Sequence, residues 1–475
     1  MQIPQSKMSM YYYSDYGMSN YYRSNISNID AHKSEIYVTE YLNSLSPDAT
    51  EINISNVTTT KIPDLSRFKK CKKLYCSNNK LTVLPDLPET LEVLCCEDNK
   101  LTSLPTNWPP NLQKLYCNNN QLKEISSLPP KLKHFICSNN YLSVLPPLPP
   151  DLRELICNHN ELTSLPPLHH HLWELNCEHN LLTTLPPLNE ALNSLYCSFN
   201  QLQYLSHLNV HLKILHSDHN RLTTLPPLNE KLEILYCHHN PIVVLPALNT
   251  ALEVLQCQNA ELTDLPALNP KLLELYVDNN NLYELPALNL ELAVLSCTEN
   301  VLLSLPPLNA KLQKLYCDGN LLSELPVLNE SLTGLYCSEN QLKYLPVLKN
   351  TKLETLKCNN NLLYFLPSMN EDLRIFSCYG NPVCEVIDYQ DIVYDYELFE
   401  NEILLTDEIK HRFEQRIKIL NSFLMTFHCL KFKKLLRDWL WVKVREPKIR
   451  REYHPDYLIE HLHADTDLDE LLENW

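Results

Sequence analysis

Glycine is nearly absent, with four residues in a chain of 475. Tight turns therefore cannot rest on glycine, and the strained backbone they need must fall mostly to asparagine, which tolerates it next best. Also missing is any apolar run approaching eighteen residues, which argues against a membrane-spanning helix. The N-terminal segment has no basic start followed by an apolar core, which argues against a secretory signal. The expectation is a soluble protein, not secreted, without membrane contact. Basic side chains are outnumbered, 40 Lys and Arg against 57 Asp and Glu for a formal net charge of -17, so nonspecific nucleic-acid binding by the whole molecule is disfavoured. No glycine-rich phosphate loop is present, and no Ser-His-Asp or paired-carboxylate arrangement falls on a common scaffold. No catalytic residue, metal ligand or cofactor is assigned, and the chain is expected not to be an enzyme.

Proline and cysteine are abundant instead, at 33 and 18 residues. A repeat accounts for both. The stretch Leu312–Leu328 reads LQKLYCDGNLLSELPVL, and its twenty-residue step recurs with a few slips from about Cys71 to Asn381. Leu315 and Cys317 alternate with Lys314, Tyr316 and Asp318, the period of a short strand with one face inward. Leu312, Leu322, Leu325 and Leu328 complete an apolar interior. Twenty residues leave no room for a return helix, so Leu-Pro-Pro-Leu or Leu-Pro-Val-Leu must return as an extended, polyproline-like segment.

Asparagine ends each strand, at Asn79, Asn99, Asn120, Asn140, then every twenty residues to Asn240, from Asn280 to Asn340, and at Asn361 and Asn381. Ala260 fills the one other slot. Pointing inward, each amide can bond backbone groups that neither strand nor return segment satisfies, so these residues should stack as a ladder. Fourteen cysteines occupy one column beside it. A line of thiols twenty residues apart is not a tetrahedral metal site, and Ser217 and Val277 substitute there, which size tolerates and ligation would not. The column is read as core packing in a reducing compartment.

The pattern L-x-x-L-x-C-x-x-N-x-L-x-x-L-P is that of a leucine-rich repeat. The fold class expected is an α/β-type repeat solenoid, a curved arc with a parallel sheet on its concave face, an extended convex side and a small C-terminal all-α module. Four segments follow: 1–33, a disordered tail rich in Tyr, Ser and Asn; 34–70, a cap holding a short helix over EIYVTEYLNSL and a degenerate first repeat; 71–381, sixteen repeats; and 382–475, helical.

The repeat resembles the short leucine-rich repeats of secreted effectors of enterobacterial pathogens, which also return through L-P-x-L-P. Some of those carry a ubiquitin-ligase domain with its catalytic Cys in a Cys-x-Asp motif, but here Cys384 begins CEVID and Cys429 begins CLKF, and neither fits. The tail FKKLLRDWLWVKVREPKIRREYHPDYLIEHLHADTDLDELLENW resembles the ending of proteins from mimivirus-like giant DNA viruses, whose leucine-rich repeat proteins the cysteine-rich array also resembles. That resemblance implies the host cytoplasm or the virion as the setting and supplies no activity.

Function is sought on the outward strand face, where Tyr75, Tyr116, Tyr196, Tyr236, Tyr276, Tyr316 and Tyr336 fall in one column. Tyrosine offers apolar area and a hydroxyl at small entropic cost, which suits a protein-binding surface, although aromatics also simply suit strands. The expected function is a non-enzymatic scaffold for a host or virion protein; the alternative is an adaptor linking bound proteins to ubiquitylation or another host pathway through the helical tail. Eleven of eighteen histidines lie between residues 159 and 239, and His159, His179, His219 and His239 share a column just past the strand. A solvated surface, a pH-responsive patch and a divalent-ion site are all readings of it; Phe199 interrupts the series, which weighs against the ion. A basic stretch with Trp439 and Trp441 superficially resembles a nucleic-acid stripe, and a helix pair with a charged outer face explains it as well.

Overall fold

The computed structural model describes residues 31–348, 351–386, 403–404, 411–412, 414–419 and 422. Two compact units divide the chain, Met1–Leu321 and Leu322–Trp475.

In the first unit a helix, α1 (Ala31–Ser44), precedes strand β1 (Glu51–Asn53) and thirteen further strands of three residues, from β2 (Lys73–Tyr75) to β14 (Lys314–Tyr316). All pair in parallel with their sequence neighbours, as in Ile234↔Val254, Leu235↔Leu255 and Tyr236↔Gln256. The central residue of each strand faces inward, Leu215, Leu235 and Leu255 among them at 0% exposure. The second unit repeats the scheme with β15 (Gly334–Tyr336), β16 (Thr355–Lys357) and β17 (Ile375–Ser377), followed by α2 (Pro382–Val386). Within each unit the turns stack as a parallel-strand solenoid, and the chain holds about sixteen such turns. Among the described residues the return segments form no helix, and an isolated parallel bridge, Thr224 to Val244, is their one departure from irregular structure.

The asparagine ladder forms as expected. From Asn99 to Asn320 each ladder amide donates through Nδ2 to carbonyls of its own and the preceding turn and accepts through Oδ1 from the leucine amide of the preceding return segment, whereas Asn79 accepts from the amides of Val57 and Thr59, each at 3.1 Å. Asn180 Nδ2, for example, reaches Cys157 O at 3.1 Å, Cys177 O at 3.1 Å and Glu178 O at 3.0 Å, while Leu162 N donates to Oδ1 at 2.9 Å. Where Ala260 leaves the rung out, the Ile242 amide turns to Asn240 O at 2.8 Å instead. The thiols do more than fill space. Cys76 Sγ donates to Cys95 O at 3.2 Å and Cys197 Sγ to His216 O at 3.3 Å, and Ser217 Oγ makes the equivalent bond to Tyr236 O at 3.2 Å.

A second ladder was not anticipated. The asparagine of the Pro-x-Leu-Asn motif donates Nδ2 to a leucine carbonyl of the preceding turn, Asn189 to Leu172 O at 2.8 Å, Asn229 to Leu212 O at 3.0 Å and Asn269 to Leu252 O at 2.8 Å, and Asn209 of Ser-His-Leu-Asn does the same to Leu192 O at 2.9 Å. It ties the start of one strand to the end of the last return segment, where a backbone carbonyl would otherwise be buried unpaired.

Two expectations need correcting. α1 starts at Ala31, inside the segment read as disordered to residue 33, because Ser34 is buried and shares a 3.0 Å hydrogen bond with Thr58. Val38 and Leu42 are buried on the same helix, and the Arg67 guanidinium donates to Leu42 O at its end. The tail is also not purely helical: β18 (Ile403–Leu404) pairs antiparallel with β17, Phe376 against Ile403. A parallel sheet edge leaves backbone donors and acceptors in need of a partner. The residues at 411–412, 414–419 and 422 are helical. Most of the remaining helices expected between 407 and 475, and the segment 1–30, lie outside the described residues.

Candidate protein-binding face and histidine cluster

The strand registers place the tyrosine column as a single line. In the first unit Tyr196, His216, Tyr236, Gln256, Tyr276, Ser296 and Tyr316 are successive Cα partners, and Tyr75 and Tyr116 lie further along it with Cys95 between them. Tyr336 holds the same position in the second unit, next to Lys357, whose ammonium sits 5.5 Å from its ring centroid. All seven tyrosines are half-buried and not freely exposed, since parallel neighbours about 4.8 Å apart press their side chains together. Burial pushes the phenols of Tyr75 and Tyr196 up to about 12. Tyr276 is raised as well, chiefly by burial and then by Glu274, whose carboxylate accepts its hydroxyl at 3.1 Å.

His216 belongs to this column and was not singled out from the sequence. Its ring stacks on Tyr236 with centroids 4.2 Å apart and meets Tyr196 edge-on at 4.9 Å. Its Nε2 is buried without a hydrogen-bond partner, and burial lowers its pKa to about 4. Only the column count, twenty residues on from Tyr196, would have found it.

The neighbouring column holds the residue before each ladder asparagine, and every turn places it at positive φ. Asn78, Asn119 and Asn139 fill it as asparagine should, at 53 to 55°, but His159, His179, Phe199, His219 and His239 adopt the same conformation at 50 to 54°. Phe199 does not interrupt the histidines. It sits within one continuous stack: His159 on His179 at 4.1 Å, His179 on Phe199 at 4.1 Å, Phe199 on His219 at 4.0 Å and His219 on His239 at 4.0 Å, all within 12° of parallel. The left-handed turn aims these side chains along the solenoid axis in step, so any planar ring continues the stack.

Between the two columns lies a line of polar residues that face outward just beyond each cysteine. Glu178 is pushed up to about 7, first by burial and then by Asp218 nearby; burial also raises Glu97 and Asp278. Asp218 is buried, accepts from Ser198 Oγ at 2.5 Å through Oδ1, and through Oδ2 lies 3.0 Å from His219 Nδ1 and 3.5 Å from His238 Nε2. One nitrogen each from His219, His238 and His239 falls within 4.8 Å of the others, the described cluster with metal-ligand composition. The column reading holds His219 and His239 together with His159 and His179, but not His238. The adjacent residues Asp218 and His238, legible as SDHN and CHHN, complete the group.

Parallel strands with inward leucines, an asparagine ladder and, among the described residues, return segments without helix combine in this molecule. The fold is that of a leucine-rich repeat solenoid with short repeats. No known family model matches the sequence, and no curated protein matches it, whereas solved structures do. YopM from Yersinia enterocolitica is 29% identical, with a TM-score of 0.55 over 75% of this chain and 93% of that one. A leucine-rich repeat protein of Leptospira interrogans is 26% identical at a TM-score of 0.55, covering 72% and 93%. The functional domain of InlJ from Listeria monocytogenes, whose structure includes a cysteine ladder, shares the fold at 24% identity and a TM-score of 0.51, covering 70% and 74%. No helix among the described residues is long and apolar enough to cross a membrane.

Proposed function

We infer that this protein is a binding scaffold whose strand face holds a protein partner. The observation that carries the reading is the tyrosine and histidine line in register from Tyr196 to Tyr316. It combines rigid aromatic area with hydroxyls at fixed spacing, the composition of a binding hot spot. Tyr236, Tyr276 and Tyr316 recur at every second strand, roughly 10 Å apart, which fits a partner spanning several turns. Similarity to leucine-rich effectors of bacteria supports a scaffold over an enzyme. The setting implied by the resemblance of the tail is an infected host cell or the virion, so the partner is a host or virion protein.

Because these rings are half-buried, truncation to alanine would perturb packing. Tyr236→Gln, Tyr276→Gln and Tyr316→Gln together are better, since Gln256 already occupies this column in the same sheet. For a partner recovered by the full chain, the triple variant should keep its far-UV circular dichroism and bind at least about thirtyfold more weakly, roughly 2 kcal/mol. Unchanged affinity in a folded variant would move the binding site off the strand face. Recovery of ubiquitin-ligase components by the full chain, lost on deletion of residues 382–475, would favour the adaptor role.

A further inference from the structure

We propose that His219, His238 and His239 bind one divalent transition-metal ion of the zinc class, with Asp218 orienting His219 by accepting from its ring. The site rests on geometry that belongs to two adjacent turns of the first unit. One ligand nitrogen from each histidine already lies within 4.8 Å of the others. Tetrahedral ligands at a Zn–N distance of about 2.0–2.1 Å sit roughly 3.3 Å apart. His219 and His239 are stacked at 4.0 Å, so closing on an ion means tilting one ring against the other, and the torsion that does this is soft. His239 is exposed and is therefore the ring that can tilt, toward a His219 whose other face rests on Phe199 at 4.0 Å.

Asp218 supplies what ligating histidines ordinarily have behind them. Its Oδ2 lies 3.0 Å from His219 Nδ1, so that nitrogen carries the proton and Nε2 keeps its lone pair for an ion. Ser198 holds the other carboxylate oxygen at 2.5 Å and fixes the orientation. His238 carries a buried Nδ1 with no hydrogen-bond partner. A buried nitrogen left unsatisfied is costly and calls for an explanation, and loading the cluster with an ion is one. Imidazole donors select zinc, copper or nickel over calcium or magnesium, which prefer all-oxygen shells. The sequence also bounds the site: the next turn replaces His238 and His239 by Gln258 and Asn259, and the preceding one has Ser198 and Phe199. The ion would lie beside Tyr236, whose ring centroid is 6.3 Å from that of His238, with a fourth coordination position open to water or to a partner's side chain.

The test is titration of the metal-free full chain with Zn²⁺ by calorimetry, with Co²⁺ as spectroscopic probe because eighteen cysteines are rival ligands. The expected result is one equivalent bound and a Co²⁺ spectrum without a thiolate charge-transfer band. The paired change His238→Gln and His239→Asn transplants the neighbouring turn's own residues and should weaken binding at least tenfold. Asp218→Asn should weaken it about tenfold through the lost orientation of His219. Should the paired variant fail to match the wild-type circular dichroism, His239→Asn alone carries the same comparison, since its side chain is exposed. No Zn²⁺ binding by the wild type, binding unchanged in the variants, or a thiolate band in the cobalt spectrum would each overturn the proposal.

Discussion

Replacing Asn180 by alanine removes one rung of the ladder while leaving those at Asn160 and Asn200 in place. Asn180 is 6% exposed, so the groups it leaves behind do not simply meet water. Its two amide hydrogens serve three carbonyls and its oxygen serves Leu162 N, which amounts to three full hydrogen bonds. At about 1 kcal/mol net for each, the loss is about 3 kcal/mol, and an unpaired Leu162 amide would add another 1–3 kcal/mol. Ala260 shows that this addition is avoidable, because Ile242 N finds a carbonyl two residues back when the rung is missing. The expected cost is therefore about 3 kcal/mol. Repeats couple to their neighbours, so native-state hydrogen exchange should register the loss at the Leu162 and Leu182 amides and leave strands near Leu74 almost unchanged. The reciprocal change, Ala260→Asn, should stabilise by about 1–2 kcal/mol and move the Ile242 amide onto the new side chain. A cost under about 1 kcal/mol for Asn180→Ala with Leu162 as protected as before, or an even fall in protection along the chain, would refute this role of the ladder.

The thiols offer a second check: burial pushes Cys157 up to about 12 and raises Cys177 and Cys197 well above the ordinary thiol value, whereas Cys384 is half-exposed with its thiol pKa lowered, mainly by its hydrogen bond with Cys378. Alkylation of the native protein at neutral pH should therefore mark Cys384 before any described ladder cysteine, and mass mapping that finds the ladder marked first would invert the assigned facing of the strands. A third prediction concerns pH. Glu178 titrates near 7 in the fold against 4.5 in the free chain, so the folded state keeps a proton that the unfolded state has lost, and its contribution to stability declines as pH rises from about 4.5 through 7. Glu178→Gln should remove that decline, worth on the order of 2–3 kcal/mol, and raise the melting temperature most above pH 7. His216 and His238, lowered to about 4 by burial, act with the opposite sign between about 4 and 6.5, so the comparison is the difference between variant and wild type at each pH. Parallel profiles for the two proteins would show that Glu178 is not the group responsible.

The repeat, the inward leucines, the cysteine column and the asparagine ladder follow from the sequence alone. In a parallel solenoid each side chain meets the same position one turn away, so a period of twenty in sequence becomes a column in space, as Leu215, Leu235 and Leu255 show. Whatever depends on that one-dimensional rule was readable, including the line of tyrosines. Contacts between different columns were not. That Asp218 reaches His219 and His238, that Phe199 joins the histidine stack, and that His216 lies between two tyrosines all depend on how far the left-handed turn swings a side chain toward its neighbours. The half-burial of the tyrosines and the β18 pairing on β17 likewise come from the packing of strand against strand. Sequence set which residues share a column; only the tertiary structure decided which columns touch, because backbone twist and turn conformation fix lateral distances that no spacing along the chain records.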